Sequence, residues 1–343
     1  MTKRYQMNIA NKTLNNLSNI LIIVKMKNKV GLLFFLFIVF NIKSIAQNGK
    51  IIFIQNTSIE DSDKVFFQKR FLETDEVLKQ TSLEKITYLS DGFKISGYIA
   101  KPIISNKKFP CIIYCRGGNR DFGALSSFEQ FYLQRMANWG YIVIASQYRG
   151  GPDSEGKDEF GGNDINDVMN LLPVLSQIKN ADTSKIGIHG WSRGGMMTYL
   201  ALKKTNRFKA AVVGAGAADL YSTLKLRKDF EAAVFAECIP DYYKNKDVEL
   251  KKRSVVYWAD SLCKTTPILL MQGSSDWRVS PEENLDLVGK LYKAKHPLKF
   301  IFYAGGDHGL REYTTETDAQ MKQWFDDYVR DGKALPNMEK HGR

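Results

Sequence analysis

Five residues, Gly190-Trp191-Ser192-Arg193-Gly194, leave the chain around them few ways to fold. A short apolar run, Lys185-Ile186-Gly187-Ile188-His189, leads in, and a small-residue run compatible with a helix, Gly194 to Lys203, leads out. The sequence therefore reads strand, sharp turn, helix. A G-x-S-x-G turn of this kind strains its serine, so the positions two before and two after it have to be small. Gly190 and Gly194 meet that need. The turn exposes the Ser192 hydroxyl above the sheet and aims the backbone N–H of Arg193 at the point where an oxyanion would form. Taken alone, the pattern also describes a plain turn serine, so its partners decide its meaning.

Length and composition set the frame. The chain has 343 residues, 44% of them apolar, which suits one large α/β domain or two small ones. The formal charge of +12 is largely local. Residues 1–46 hold seven basic side chains (Lys3, Arg4, Lys12, Lys25, Lys27, Lys29, Lys43) and no acid; without them, 42 basic residues face 37 acidic ones, a balance of +5. That is an ordinary surface, and it argues against a nucleic-acid partner.

The leader has its own grammar. Met26-Lys27-Asn28-Lys29 forms a short basic region, Val30 to Ile42 an apolar one, and Ser44-Ile45-Ala46 a small-x-small cleavage pattern before Gln47. We read residues 1–46 as a leader with its true start at Met26, and expect an exported protein. The alternative is an uncleaved membrane anchor from Ile20, which Lys25, Lys27 and Lys29 interrupt. Cys111 and Cys115 lie on one expected strand about 13 Å apart, too far to bond. A Cys238–Cys263 pair is conceivable. No spacing suggests zinc, and no cofactor is expected.

Beyond the leader, residues 47–84 read as an N-terminal helical extension packed on a main domain at 85–335. Lys85 to Ala100 alternates like a hairpin around Ser90-Asp91-Gly92. Strands follow at Cys111–Tyr114, Tyr141–Ser146, 185–189, Ala210–Gly214, Pro267–Met271 and Leu298–Tyr303, with helices between them. The apolar runs suit strands buried on both faces. The alternation predicts a mainly parallel, doubly wound α/β sheet flanked by helices. Residues 152–167, rich in glycine and acids, do not follow the EF-hand spacing and read as a solvated loop capping a helix from Asp164. Residues 220–262 interrupt the alternation with helical, aromatic text, where a cap-like insertion or simple covering helices would sit.

Ser192 needs a base. Of four histidines, His341 lies in a polar tail, His296 in a connection, and His189 on the strand itself, pointing into the packing. His308 follows the last strand in a glycine-rich loop, and catalysts collect beyond the carboxyl ends of parallel strands. The acid belongs between serine and histidine in the chain. Asp276, after the penultimate strand, is favoured, with Asp219 the runner-up; Asp307 is too close to His308 to turn back onto it. Arg116-Gly117-Gly118-Asn119 follows a buried strand, so Gly117 or Gly118 would supply a second oxyanion N–H beside that of Arg193, unless the pair is only a tight turn.

These features resemble the catalytic domain of the prolyl oligopeptidase family of serine peptidases. The residues that carry the resemblance are Ser90-Asp91-Gly92, Ile95-Ser96-Gly97, Pro102, Gly117-Gly118, Tyr148-Arg149-Gly150, Gly190 to Gly195, Gln272-Gly273, Asp276, Val279 and Asp307-His308-Gly309, over about residues 85–330. The resemblance implies an α/β-hydrolase fold, a Ser192-Asp276-His308 triad, and cleavage of peptides or small acyl substrates. It departs at two points. Residues 47–84 are too short for the β-propeller that many members carry, and Arg116 stands where relatives often have His or Tyr. Arg116 is thus a candidate for a substrate carboxylate or for a structural salt bridge, and Trp191 and Tyr221 are further candidates for substrate contact. A carboxylesterase with the same triad, or a catalytically silent binding module, are the other expectations. The oligomeric state is not readable.

Overall fold

A computed structural model describes residues 48–104 and 106–342. The leader, its start at Met26 and its cleavage pattern lie outside the described residues.

Nine strands form one sheet in the order β1-β2-β3-β5-β4-β6-β7-β8-β9. They are β1 (Ile51–Thr57), β2 (Thr81–Ser90), β3 (Phe93–Pro102), β4 (Phe109–Cys115), β5 (Ile142–Ser146), β6 (Ala181–Trp191), β7 (Ala210–Gly214), β8 (Ile268–Gly273) and β9 (Leu298–Tyr303). From β5 to β9 neighbouring strands are parallel; β1, β2 and β3 join antiparallel at one side. The hairpin turns on Asp91 and Gly92, both at positive φ (51° and 87°), as a two-residue turn matched to strand twist requires.

The α-helices of five residues or more are α1 (Asp61–Arg70), α2 (Thr74–Gln80), α3 (Ser127–Asn138), α4 (Ile165–Met169), α5 (Leu171–Leu175), α6 (Arg193–Lys204), α7 (Leu220–Leu226), α8 (Tyr242–Arg253), α9 (Pro281–Lys293) and α10 (Thr314–Phe325). They cover both faces. Cys111, Ile113, Ile144, Ile188, Val213 and Leu270 pack on one side with Met196 and Tyr199 of α6 and Leu287 of α9. Their strand neighbours Ile112, Val143, Val212 and Leu269 pack on the other with Phe131 of α3 and Phe325 of α10. Alternate residues of each strand thus enter opposite cores, which is why the strands read as continuous apolar runs.

Two sequence expectations change here. The first is the start of the 47–84 extension, which opens with β1 and not a helix. Most of β1 is exposed, so it has no buried face to leave an alternating pattern. Its pairing with β2 and the bond from the Ile51 N–H to Gln177 Oε1 make it a strand. The second is the acidic stretch 152–167. Asp158, Asp164 and Asp167 are buried and not solvated. Asp164 starts α4 without capping it and instead accepts the Gly161 N–H at 2.9 Å. Asp167 takes the Nε and Nη2 of Arg149 at 3.0 and 2.8 Å and the Ser90 hydroxyl at 2.6 Å. Short range made these acids look like loop residues; the arginines that bury them come from elsewhere in the chain. The helix expected from Asp164 is two short ones, with Pro173 inside α5.

All four cysteines are free thiols, so Cys238 and Cys263 do not pair. No helix among the described residues is long and apolar enough to cross a membrane.

Asp167→Ala would leave the Arg149 guanidinium buried with only the half-exposed Asp91 to pair it. A loss of about 3–5 kcal/mol is expected, read as a lower denaturant midpoint at unchanged slope.

Candidate active site

Ser192 is the single residue between β6, in the middle of the parallel sheet, and α6. Its backbone sits at φ 59°, ψ −124°, a conformation that costs a non-glycine residue on the order of 1–3 kcal/mol. Four hydrogen bonds hold it there. The Ser192 N–H donates to the Gly214 carbonyl at 3.0 Å, and the Ser192 carbonyl accepts from Gly195, Met196 and Ala217 at 2.9, 3.4 and 3.1 Å. The flanking glycines are required by contact. A Cβ at Gly190 would stand 2.0 Å from the Gly194 carbonyl oxygen, and one at Gly194 would stand 2.0 Å from that of Cys115.

Asp276 and His308 follow β8 and β9, two neighbouring strands, and the structure brings them together. Asp276 Oδ2 is 2.8 Å from His308 Nδ1 and 3.2 Å from Gln272 Nε2; Oδ1 accepts the N–H groups of Arg278 and Val279 at 2.8 and 3.0 Å. Burial pushes the Asp276 carboxyl up, but the His308 contact and these two N–H groups outweigh it, so its pKa falls below the ordinary aspartate value. An ionised carboxylate on Nδ1 puts the ring proton there and leaves Nε2 as the free base. Trp191 Nε1 donates to the His308 carbonyl at 2.7 Å, tying the histidine loop to the elbow.

Ser192, His308, Gly117, Gly118 and Trp191 border one cavity of about 420 Å³. A second, of about 380 Å³, lies beside it and shares Ser192, Gly118, Phe122 and Arg278. The second is lined by Leu220, Thr223, Phe230 and Val234, so the 220–262 segment does reach the serine. The first is lined in part by Arg70 and Phe71, from the N-terminal extension, which sequence reasoning did not connect with the site.

Two buried arginines shape the glycine loop. Arg116 is fully buried, and its guanidinium donates to carbonyls alone: Gln147, Gly117, Gly123 and Arg120 at 2.9, 3.1, 3.2 and 2.8 Å, with Phe122 at 3.4 Å. It therefore faces neither substrate nor a salt-bridge partner, correcting both expectations for it. With the Gly117 carbonyl turned to Arg116, the Gly118 N–H of the same trans peptide points the other way. Gly118 has φ 69°, and a Cβ there would meet the Phe122 carbonyl oxygen at 1.9 Å. Gly117 backs onto the elbow, where a Cβ would lie 3.5 Å from that of Ser192.

Arg193, beside the serine, sends its side chain inward. It makes a two-pronged pair with Asp158 (both 2.7 Å), reaches Asp164 at 2.5 Å, and donates to the Gly118 carbonyl at 2.9 Å. Burial raises the Asp158 pKa, but the Arg193 charge and its hydrogen bonds win, and it falls to about 2. Nothing in the local sequence announced this cluster.

The other expected residues fall elsewhere. Tyr221 borders neither cavity. Its hydroxyl donates to Asp247 at 2.8 Å and its ring meets Tyr257, so its expected substrate contact is not supported by the geometry. Asp219 caps α7 through the Tyr221 N–H. Asp307 accepts the Gly309 N–H, while Asp276 is the carboxylate bonded to the imidazole. His189 is buried against the Val212 carbonyl and the Tyr132 hydroxyl, and burial lowers its pKa to about 4. His296 is buried against the Thr266 carbonyl, while His341 is exposed. Among the described residues no group of three or more His, Cys, Asp or Glu side chains is placed to hold a metal ion.

Comparison with known proteins defines the class. Residues 126–332 match the model of the prolyl oligopeptidase family. The chain belongs to that family of serine-type peptidases. It is 28% identical over 245 residues to the uncharacterized peptidase YtmA of Bacillus subtilis, covering 71% of this chain and 93% of that one. It is 26% identical over 232 residues to dipeptidyl-peptidase 5 of Porphyromonas gingivalis, covering 64% of this chain and only 33% of the relative. Among solved structures, the Pyrococcus horikoshii acylaminoacyl peptidase superposes with a TM-score of 0.64 at 20% identity, covering 82% of this chain and 46% of that one. The last likeness establishes the α/β-hydrolase fold.

Gly194→Ala is expected to be more disruptive than an ordinary helix substitution, because the added methyl would stand 2.0 Å from the Cys115 carbonyl oxygen and 3.0 Å from that of Arg116, both backbone atoms. Loss of soluble, cooperatively folding protein, or a drop of several kcal/mol in a urea titration, would show it.

Proposed function

We propose that this chain is a serine peptidase that cleaves short peptides through an acyl-enzyme on Ser192. The observation that carries this is the strained Ser192 on a cavity shared with His308, whose Nδ1 is fixed by Asp276. His308 Nε2 takes the serine proton as the hydroxyl oxygen attacks the substrate carbonyl carbon. Asp276 holds the tautomer and stabilises the imidazolium. The N–H groups of Arg193 and of Gly118 or Gly117 receive the oxyanion, with Arg116 and Arg193 positioning that loop from behind. His308 then protonates the leaving amine, and water, activated by the same imidazole, releases the acyl group.

The direction of the substrate follows from the cavities. His308 borders the first cavity and not the second. The leaving group receives its proton from His308, so it lies in the first, and the acyl portion lies in the second. Room on both sides of the serine supports a peptide. A carboxylesterase would use the same machinery, and rates on matched amide and ester substrates separate the two.

Covalent labelling by a fluorophosphonate is expected for the wild type and lost in Ser192→Ala. Absence of labelling in folded wild type would return the chain to a silent binding module. Asp276→Asn should keep the fold and lower kcat by roughly 10⁴-fold, since the wrong tautomer then faces Ser192. Arg116→Met is expected to lower kcat by roughly tenfold to a hundredfold with a smaller change in KM, because the loop donor matters most in the transition state. Steady-state kinetics on a chromogenic peptide amide check both.

A further inference from the structure

Two cations beside Ser192 have no part in that chemistry. Arg227, at the C-terminal end of α7, and Arg278, two residues after Asp276, both border the second cavity, and Arg278 borders the first as well. Of the other arginines around the serine, Arg70 and Arg311 border only the first cavity, and Arg120 and Arg193, which border the second, are engaged. Arg193 is paired with Asp158 and Asp164, Arg135 with Glu73 and Asp318, Arg116 is wrapped in carbonyls, and Arg120 bonds Asn119 and the Ala233 carbonyl. The Arg227 and Arg278 guanidinium groups make neither a hydrogen bond nor an ion pair among the described residues.

Aromatic rings hold them instead. Arg227 lies over Phe230 at 4.1 Å and Trp277 at 5.8 Å; Arg278 lies over Trp277 at 5.1 Å and Phe122 at 5.9 Å. Stacking orients a guanidinium plane without using its N–H edge, so both forks stay available to a planar anion. Trp277 contacts both, which sets two like charges near one another. Burial and Arg278 depress the Arg227 pKa, and the nearby Asp229 offsets this only in part. An arriving carboxylate would relieve that repulsion and accept from both forks.

We propose that Arg227 and Arg278 form a carboxylate-binding subsite on the acyl side of Ser192. It selects peptides with aspartate or glutamate at the acylated residue or immediately N-terminal to it. The inference rests on the hydrolase reading of Ser192, and deepens it by naming a substrate class.

The test uses the full chain and two pairs of dipeptide p-nitroanilides, Ala-Glu against Ala-Gln and Glu-Ala against Gln-Ala. The two pairs distinguish the two positions for the acid. Wild type is expected to favour glutamate over glutamine by about tenfold or more in kcat/KM in one pair, with the ratio shrinking as salt is raised. Arg227→Gln should bring the ratio towards one, and Arg227→Lys should keep part of it. Labelling by an uncharged fluorophosphonate runs beside every assay. A protein that labels but shows no glutamate preference in either pair, or whose preference survives Arg227→Gln, overturns the subsite alone. A folded protein that neither labels nor hydrolyses overturns the hydrolase reading and the subsite with it.

Discussion

The Arg193 guanidinium is buried one residue away from the serine hydroxyl, and a buried cation has to be paired and hydrogen-bonded. Asp158 and Asp164 pair it, and the Gly118 carbonyl takes a further N–H. One side chain therefore ties three separate stretches of chain together: the elbow, the glycine loop after β4 and the acidic loop before α4. Asp158 also accepts the N–H of Arg120, which closes the link between the acidic loop and the glycine loop. The backbone of Arg193 faces the reacting centre while its side chain anchors what surrounds that centre.

Strain is tolerated at Ser192 because its neighbours leave no alternative. Its N–H and C=O are all engaged, and Gly190, Gly194 and Gly195 are pressed against backbone atoms of neighbouring segments. A packed environment of this kind keeps an unfavourable φ/ψ in place. The same logic runs through the glycine loop. There Arg116 gathers carbonyls from Gly117, Arg120, Gly123 and Gln147, so a loop with little regular structure has a defined shape. An arginine thus acts from inside the fold, with its charge satisfied by dipoles and by the face of Tyr148.

Much of the sheet was legible because period and punctuation are local. The runs at Cys111–Tyr114, Ala210–Gly214 and Leu298–Tyr303 are strands, and the Asp91-Gly92 pair is a two-residue turn. β1 was not legible, since an exposed edge strand has no inward face to pattern. In the site, Ser192, Asp276 and His308 stood out because each follows a strand end in a small-residue loop. Arg116 and Tyr221 misled for opposite reasons. A charged residue beside a glycine pair suggests a ligand, yet Arg116 is buried; an aromatic in a cap-like segment suggests a pocket, yet Tyr221 bonds Asp247 away from both cavities.

The sequence by itself determined what depends on near neighbours: strand–turn–helix at the elbow, the alternation of strands and helices after β3, and which serine, histidine and acid stand at strand ends. Only the tertiary structure decided what depends on segments far apart in the chain. It placed Asp276 against His308, buried Asp158 and Asp164 on Arg193, turned Arg116 inward, and set the 70–71 and 220–234 segments around two cavities. The physical reason is that side-chain type and spacing restrict local backbone geometry, whereas the partner of a buried charge is chosen by packing.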